Sequence, residues 1–354
     1  MLTYIIRRLL ILPILFTGIT MLIFAMLSLL TPYERASLYV QDIPKREGAI
    51  EAVIAKYGLD DPIPVQYWKW LVGRVDETTG EREGGILFGD LGWSKVGKST
   101  VAEVIGRRLP ATAELALWSA IPLIGISIWM GVQAAVHHNK FIDQILRVFA
   151  ITGWSIPTFV FGLLLLLFFY SQLDWFPPGR LSVGMNEIVG SDAFTQYTHM
   201  HTVDALLNFR FDVFWDALRH LVSPVITLSV VSWAFLLRVT RSSMLDTLRQ
   251  DYITTARSKG LPERKIVSRH AVPNGLIPVI TVGGLTLIGL FNGVVITETI
   301  FNIKGIGSFL AEAAASLDVV SVLGITAFSS LILIVGNLFV DVLYGIVDPR
   351  IRLG

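Results

Sequence analysis

Few residues of this chain have types and spacing suited to bond chemistry. Gly97-Lys98-Ser99-Thr100 carries the residues that end a phosphate-binding loop, but the upstream glycine at the required spacing is missing. It reads as a polar turn. The six histidines are scattered apart from His137-His138, which sits beside Lys140 in a short turn, and no HExxH or comparable ligand spacing occurs. Cysteine is absent, which excludes disulfides and thiolate metal sites. The long apolar stretches hold no Ser/His or paired-carboxylate constellation. Glu298 is the acid that closes one of them. Carboxylates in such places are functional by default, here as an anchor for residues 301–307 or as a gate.

The other chemically dense stretch is 249–274, RQDYITTARSKGLPERKIVSRHAVPN. Helix formers with alternating charge run from Leu248 to Lys259. Gly260 can adopt the positive φ that stops a helix. Pro262 suits the first turn of a new helix and Glu263 its positive end. The spacing predicts a short helix, a sharp glycine turn and a second helix that enters the next apolar run. A basic amphipathic helix lying on lipid headgroups is the plainer alternative.

These pieces need elements to hold them, and the composition says which. The chain has 354 residues, 53% hydrophobic and 16% charged, with a mean hydropathy of +0.62. That is too apolar for an ordinary soluble domain. After Arg7-Arg8, residues 9–33 carry no charge until Glu34 and lack a convincing small-x-small cleavage site, so they read as a retained membrane helix. Uncharged stretches at 115–139, 148–173, 220–237, 270–297 and 319–340 bring the count to six. The 220–237 run is the shortest and can be extended by snorkelling Arg238 and Arg241. Unbroken apolar runs favour helices over a barrel.

Charge orients them. The 238–269 loop holds eight Lys/Arg against Asp246, Asp251 and Glu263. With both termini inside, Arg7-Arg8, Lys140, this loop and Arg350/Arg352 all face the cytoplasm. The long segments 34–114 and 174–219 then face outward with fourteen basic and nineteen acidic residues. In the first of them, 50–57 and 66–75 have helical spacing, 77–85 is a polar loop, and 101–109 reads as an interfacial helix before Pro110. The aromatic stretches 175–179 and 208–215 read as interfacial anchors. Pro157, Pro224 and Pro278 lie inside spans and predict kinks. Gly283-Gly284, Gly289 and Gly293 predict close helix contact, and Asn292 an interhelical hydrogen bond. Asp318 and Asp341 read as end residues of the last span.

The 249–274 stretch resembles the cytoplasmic signature loop of ABC-importer permeases. Thr254-Thr255-Ala256, Gly260 and Val272-Pro273 fall at the family's spacings, with Thr254 replacing its Glu. Tyr252, Arg257, Lys259-Gly260-Leu261, His270 and Asn274 look like the dipeptide, oligopeptide and nickel branch. The resemblance extends over nearly the whole chain. It includes Arg7-Arg8, Phe88-Gly89-Asp90-Leu91-Gly92, Leu109-Pro110-Ala111-Thr112 and Ser155-Ile156-Pro157-Thr158-Phe159. It continues through Glu298-Thr299-Ile300-Phe301 with Gly305-Ile306-Gly307, and ends in Asp348-Pro349-Arg350-Ile351-Arg352. Thr31-Pro32-Tyr33 departs from the Pro-Gly-Asp-Pro-like stretch usual after the first span.

The resemblance implies an all-α integral membrane protein of the type I ABC-importer permease fold. It has six transmembrane helices, cytoplasmic termini and an extracytoplasmic region between helices 1 and 2. Its parts are 1–33 with the first span, 34–114 outside, and 115–354 as a five-helix core carrying the coupling loop 238–274. It implies a non-catalytic permease in a prokaryotic inner membrane, moving oligopeptides or dipeptides, with oligosaccharides or nickel as alternatives. The implied partners are a second, homologous permease, two ATPases that bind ATP and Mg, an external solute-binding protein and membrane lipids, with no nucleic acid. The chain itself would carry no cofactor or metal. Thr254, Thr255, Ala256, Arg257, Ser258, Lys259, Gly260, Arg264 and Lys265 are the expected ATPase-coupling residues, with Ala256 allowing close approach of the partner. Pro157, Asn292 and Glu298 are the candidates for the translocation path or gate. An ion-coupled secondary transporter predicts intramembrane charge pairs and an internal repeat, and neither is evident. An intramembrane enzyme would need the constellation the spans lack.

Overall fold

A computed structural model describes residues 2–38, 48–75 and 82–347. In chain order the first helices are α1 Leu2–Ser28, α2 Pro32–Leu38, α3 Ala49–Tyr57 and α4 Ile63–Val72. Strands β1 Arg74–Val75 and β2 Arg82–Glu83 follow as one antiparallel pair, and β3 Trp93–Ser94 and β4 Ser99–Thr100 as another. Then come α5 Val101–Val136, α6 Phe141–Ser155, α7 Thr158–Leu165, α8 Val183–Val189, α9 His201–Leu207 and α10 Phe211–Leu248. The remaining helices are α11 Asp251–Ser258, α12 Glu263–Ile266, α13 Val272–Gly275, α14 Ile277–Phe291, α15 Val295–Ile300, α16 Ile306–Ala315 and α17 Val319–Val347. The chain is mostly helical, with two short hairpins added to the expected all-α architecture.

Among the described residues, four helices are long and apolar enough to cross a membrane, or up to six if each of two bent pairs forms one span. The expected 148–173 span is one of those pairs. Phe141–Ser155 and Thr158–Gln172 meet at 99°, where Pro157 holds φ at −57° and Ile156 is extended. A residue before proline is driven out of the helical region, so the chain turns instead of kinking. The 270–297 stretch is likewise split, with Glu263–Gly275 and Ile277–Phe291 bent by 56°. Pro224, by contrast, stays inside the unbroken α10.

Two further expectations are corrected. Residues 101–109 are not a separate interfacial helix, because α5 runs through Pro110 to Val136. Val101, Val104 and Ile105 are buried against Ile306, Phe309 and Ile325, and this packing outweighs the local proline. The span at 220–237 is not short, because it lies inside a longer helix. α10 is 38 residues long, Arg238 lies over the Trp154 ring at 5.3 Å, and Arg241 turns inward to Asp143.

Two compact units divide the described residues, 110–305 with 336–347, and 2–109 with 306–335. The core of the first contains Leu115, Leu123, Leu236 and Phe301. Its glycines let backbones close up: a Cβ on Gly283 would stand 3.0 Å from Ile124, and one on Gly284 2.5 Å from Val340. Gly289 has open space, so the expected contact stripe covers only part of α14.

The second unit is built on α1, α3, α4, α16 and the hairpins. Thr31 starts α2 with a capping box. Its N–H donates to Glu34 Oε2 at 2.8 Å, and the Glu34 N–H donates back to Thr31 Oγ1 at 3.3 Å. The Gly92 segment packs on α17: a Cβ at this φ of +88° would stand 2.5 Å from Val320. Of the GKST stretch expected to be a polar turn, Gly97-Lys98 close the β3–β4 turn at residues 95–98, while Ser99-Thr100 form strand β4. Asp318 is more than an end residue. Its carboxylate accepts from Ser94 Oγ at 3.0 Å, Val96 N at 3.1 Å and Ser321 Oγ at 2.7 Å, tying that hairpin to the start of α17. These bonds hold its pKa below the usual value although burial opposes them. The 77–85 loop and the 348–352 motif lie partly or wholly outside the described residues.

Candidate functional site

The basic stretch folds as expected into a helix–turn–helix knob. α11 ends in a Schellman pattern: the Leu261 N–H donates to the Ala256 carbonyl at 3.3 Å and the Gly260 N–H to that of Arg257 at 2.9 Å. Gly260 has φ +74°, the left-handed region that favours glycine. Pro262 then begins α12.

One face of the knob is buried. Ile253, Ala256, Ile266 and Ala271 pack with Met244 and Ala135. The small side chain of Ala256 therefore serves close packing within its own chain, and at 8% exposure it is not on the knob's outer face. Thr254, Thr255, Arg257, Ser258, Lys259, Gly260, Arg264 and Lys265 are all exposed. Arg257 is engaged with Glu263 through Nη2–Oε1 at 2.7 Å and Nε–Oε2 at 3.2 Å, which raises its pKa. The pair closes α11 onto α12. It leaves Lys259, Arg264 and Lys265 as outward cations with no ion pair among the described residues.

Three close contacts root the knob. A Cβ on Gly275 would stand 2.6 Å from Met244 Sδ, so α13 rides directly on α10. Gly131 lets α5 touch Thr240 and Leu237 of α10. Asp143, wholly buried, receives Arg241 at two points, Nε–Oδ1 2.7 Å and Nη2–Oδ2 2.8 Å. The Asn139 N–H adds a third donor at 2.9 Å. Sequence reasoning misses this pair. Its one signal is a lone acid between Lys140 and Arg147 in an otherwise basic turn.

A second arrangement joins three of the motif stretches. Thr112 donates to Glu298 Oε1 at 2.8 Å, and the Ile303 N–H donates to the Glu298 carbonyl at 2.8 Å. A Cβ on Gly305 would stand 2.5 Å from both Glu298 Oε2 and Thr112 Oγ1, so only glycine fits there. Glu298 is fully buried. Pro157 ends α6 at a bend, and Gly162, one turn on, faces Phe301. Asn292 terminates α14, and its Oδ1 is buried without a partner among the described residues, so the expected interhelical hydrogen bond is not formed by that atom. Pro157 thus lies at the α6–α7 bend, Asn292 at the end of α14 and Glu298 within α15. Among the described residues, no group of three or more His, Asp or Glu could hold a metal ion.

The model of the binding-protein-dependent transport system inner membrane component matches residues 124–353, and that of its N-terminal part matches residues 1–116. The chain belongs to this family. The permease is 38% identical over 354 residues to the oligopeptide transport system permease protein AppB of Bacillus subtilis, covering 99% of this chain and 100% of that protein. It is 35% identical to the di/tripeptide transport system permease protein DppB of Pseudomonas aeruginosa and 34% to the dipeptide transport system permease protein DppB of Escherichia coli, over 99% of both chains in each case. As a multi-pass membrane permease it does transport work, and some of the motifs that carry the resemblance are brought together around Glu298 and in the knob.

Proposed function

We propose that the chain forms half of the translocation path of an ATP-driven importer of short peptides and couples to its motor through the 249–274 knob. The supporting observation is an exposed basic element rooted by close packing in α10, α5 and α6, together with full-length similarity to peptide permeases. In this reading six spans, counting each bent pair as one, place both termini in the cytoplasm of a prokaryote. Segments 34–114 and 174–219 face an external solute-binding protein. A second permease completes the path, and two ATPases bind ATP and Mg. Closure of the ATPases moves the knob. Because α11 and α12 are clamped to each other and packed on α10, the movement reaches the membrane helices without being absorbed locally. Lys259, Arg264 and Lys265 offer charge-assisted bonds to acidic groups on the ATPase, with Thr254, Thr255 and Ser258 beside them. Glu298 anchors the turn after α15, and the bend at Pro157 lies along the path.

Single cysteines at Thr255 and Ser258, in the assembled transporter, test the coupling. Cross-links to an ATPase subunit that change with nucleotide are expected. Labelling of these cysteines from the extracytoplasmic side would refute it. Uptake of a labelled dipeptide that survives ATP depletion but collapses with the ion gradient would favour a secondary transporter.

A further inference from the structure

The second unit carries a partly open cavity of about 490 Å³ that plays no part in the coupling or the Glu298 anchor. Its walls differ in chemistry. One is apolar, formed by Phe24 and Leu27 of α1, Leu323 of α17 and Trp70, whose ring packs 5.6 Å from that of Phe24. Leu9–Ser28 and Val319–Val342 are both apolar enough to span a bilayer, so this wall lies where two candidate spans end.

The other wall is cationic, with Arg35, Lys69 and Arg74. Lys69 is paired with Asp61. Neither arginine has an acidic partner among the described residues. Arg35 donates to Gln66 Oε1 and the Leu59 carbonyl, both uncharged, and its Nε is buried without a partner. Arg74 lies over the Tyr57 ring, 5.3 Å from its centroid. Asp90 is the single acid among the described lining residues, and its Oδ1 already accepts from the Gly92 N–H at 2.9 Å.

Half-buried guanidinium groups without acids call for an oxyanion, and their fork geometry suits phosphate. A free anion would satisfy the cations but leave the apolar wall wet. An amphiphile satisfies both, its phosphate meeting the guanidinium groups and its acyl chain the apolar wall. We infer that this cavity holds an anionic phospholipid, with its phosphate between Arg35 and Arg74 and an acyl chain along Phe24, Leu27 and Leu323. The bound lipid closes the junction between the membrane helices and the segment after α1.

The test uses the full chain in phosphatidylcholine nanodiscs containing a minor fraction of phosphatidylglycerol. In native mass spectrometry of the released protein, phosphatidylglycerol should be retained roughly tenfold over phosphatidylcholine. Phosphatidylglycerol with brominated acyl chains should quench Trp70, seen as a component lost in Trp70→Phe. Arg74→Gln removes a cation that rests on a single ring. It should cut retention severalfold while leaving the unfolding temperature unchanged, and Arg35→Gln should do the same where it folds. Equal retention of the two lipids, or retention untouched by Arg74→Gln, overturns the assignment. Excess inorganic phosphate that displaces the lipid and abolishes Trp70 quenching also overturns it, and identifies a free-anion site.

Discussion

Asp143 and Arg241 meet in a two-point ion pair, 2.7 and 2.8 Å, with the carboxylate at 0% exposure. It pins α6 to α10 one turn before Met244, on which the knob rests. Asp143→Asn would leave the guanidinium half-satisfied in a partly buried place, at a cost of about 3–5 kcal/mol. Thermal unfolding of the purified chain checks this. Asp143→Asn with Arg241→Gln should cost less than the sum of the single changes, because the second removes the charge the first strands.

Gly260 separates strain from space. Its φ is +74° and nothing lies within 4 Å of where a methyl group would stand, so only conformation penalises substitution. Gly260→Ala should cost about 1 kcal/mol and Gly260→Val more, whereas Gly260→Asn should be nearly neutral. Gly260→Pro cannot adopt this φ and should uncouple ATP hydrolysis from uptake while membrane insertion is retained. Parallel measurement of ATPase activity and uptake reads the difference.

The outward cations and the Arg257–Glu263 clamp should respond differently. Both members of the clamp are about half exposed, so Glu263→Gln should change stability by less than about 1 kcal/mol. Charge reversal at Lys259, Arg264 and Lys265 should weaken ATPase association, and the deficit should depend on ionic strength because exposed charges are screened. Pull-down of the ATPase across a salt series tests both.

His201 gives a pH prediction. Burial pushes its pKa from 6.5 down to about 4, with Arg180 nearby acting in the same direction and Glu114 and Asp204 opposing. Its Nδ1 is buried without a partner. Above pH 6.5 the ring is neutral whether or not the chain is folded. Between 6.5 and about 4 the unfolded chain takes up a proton the folded chain refuses, so stability falls as pH falls. The loss levels off below about 4 at roughly 3 kcal/mol. Trp118 donates to Thr202 beside this ring at 3.0 Å, so its fluorescence during unfolding at stepped pH follows the effect. His201→Gln should remove the imidazole's share of that fall and leave the part due to hydrogen-bonded carboxylates such as Asp318.

Asp318 offers an independent check. Asp318→Asn weakens the acceptor for Ser94, Val96 and Ser321, so protease sensitivity of residues 93–100 should rise while the knob and its coupling are unaffected. Limited proteolysis with mapped cleavage sites shows whether the loosening is local.

The sequence by itself determined what is local or periodic. Uncharged runs locate the membrane helices because hydrocarbon tolerates little else. Gly260 and Pro262 specify the knob because few residues accept those dihedrals, and Gly97-Lys98 reads correctly as a turn. Tertiary structure decided which partners those elements meet. Nothing local ties Asp143 to Arg241, 98 positions away, or Thr112 to Glu298, because a carboxylate and its donor need only converge in space. Packing also carried α5 through Pro110 and turned Ala256 inward, since burial of a whole helix face outweighs one residue's preference. A proline's consequence was not local either: Pro157 parts α6 from α7, while Pro224 sits inside an unbroken α10.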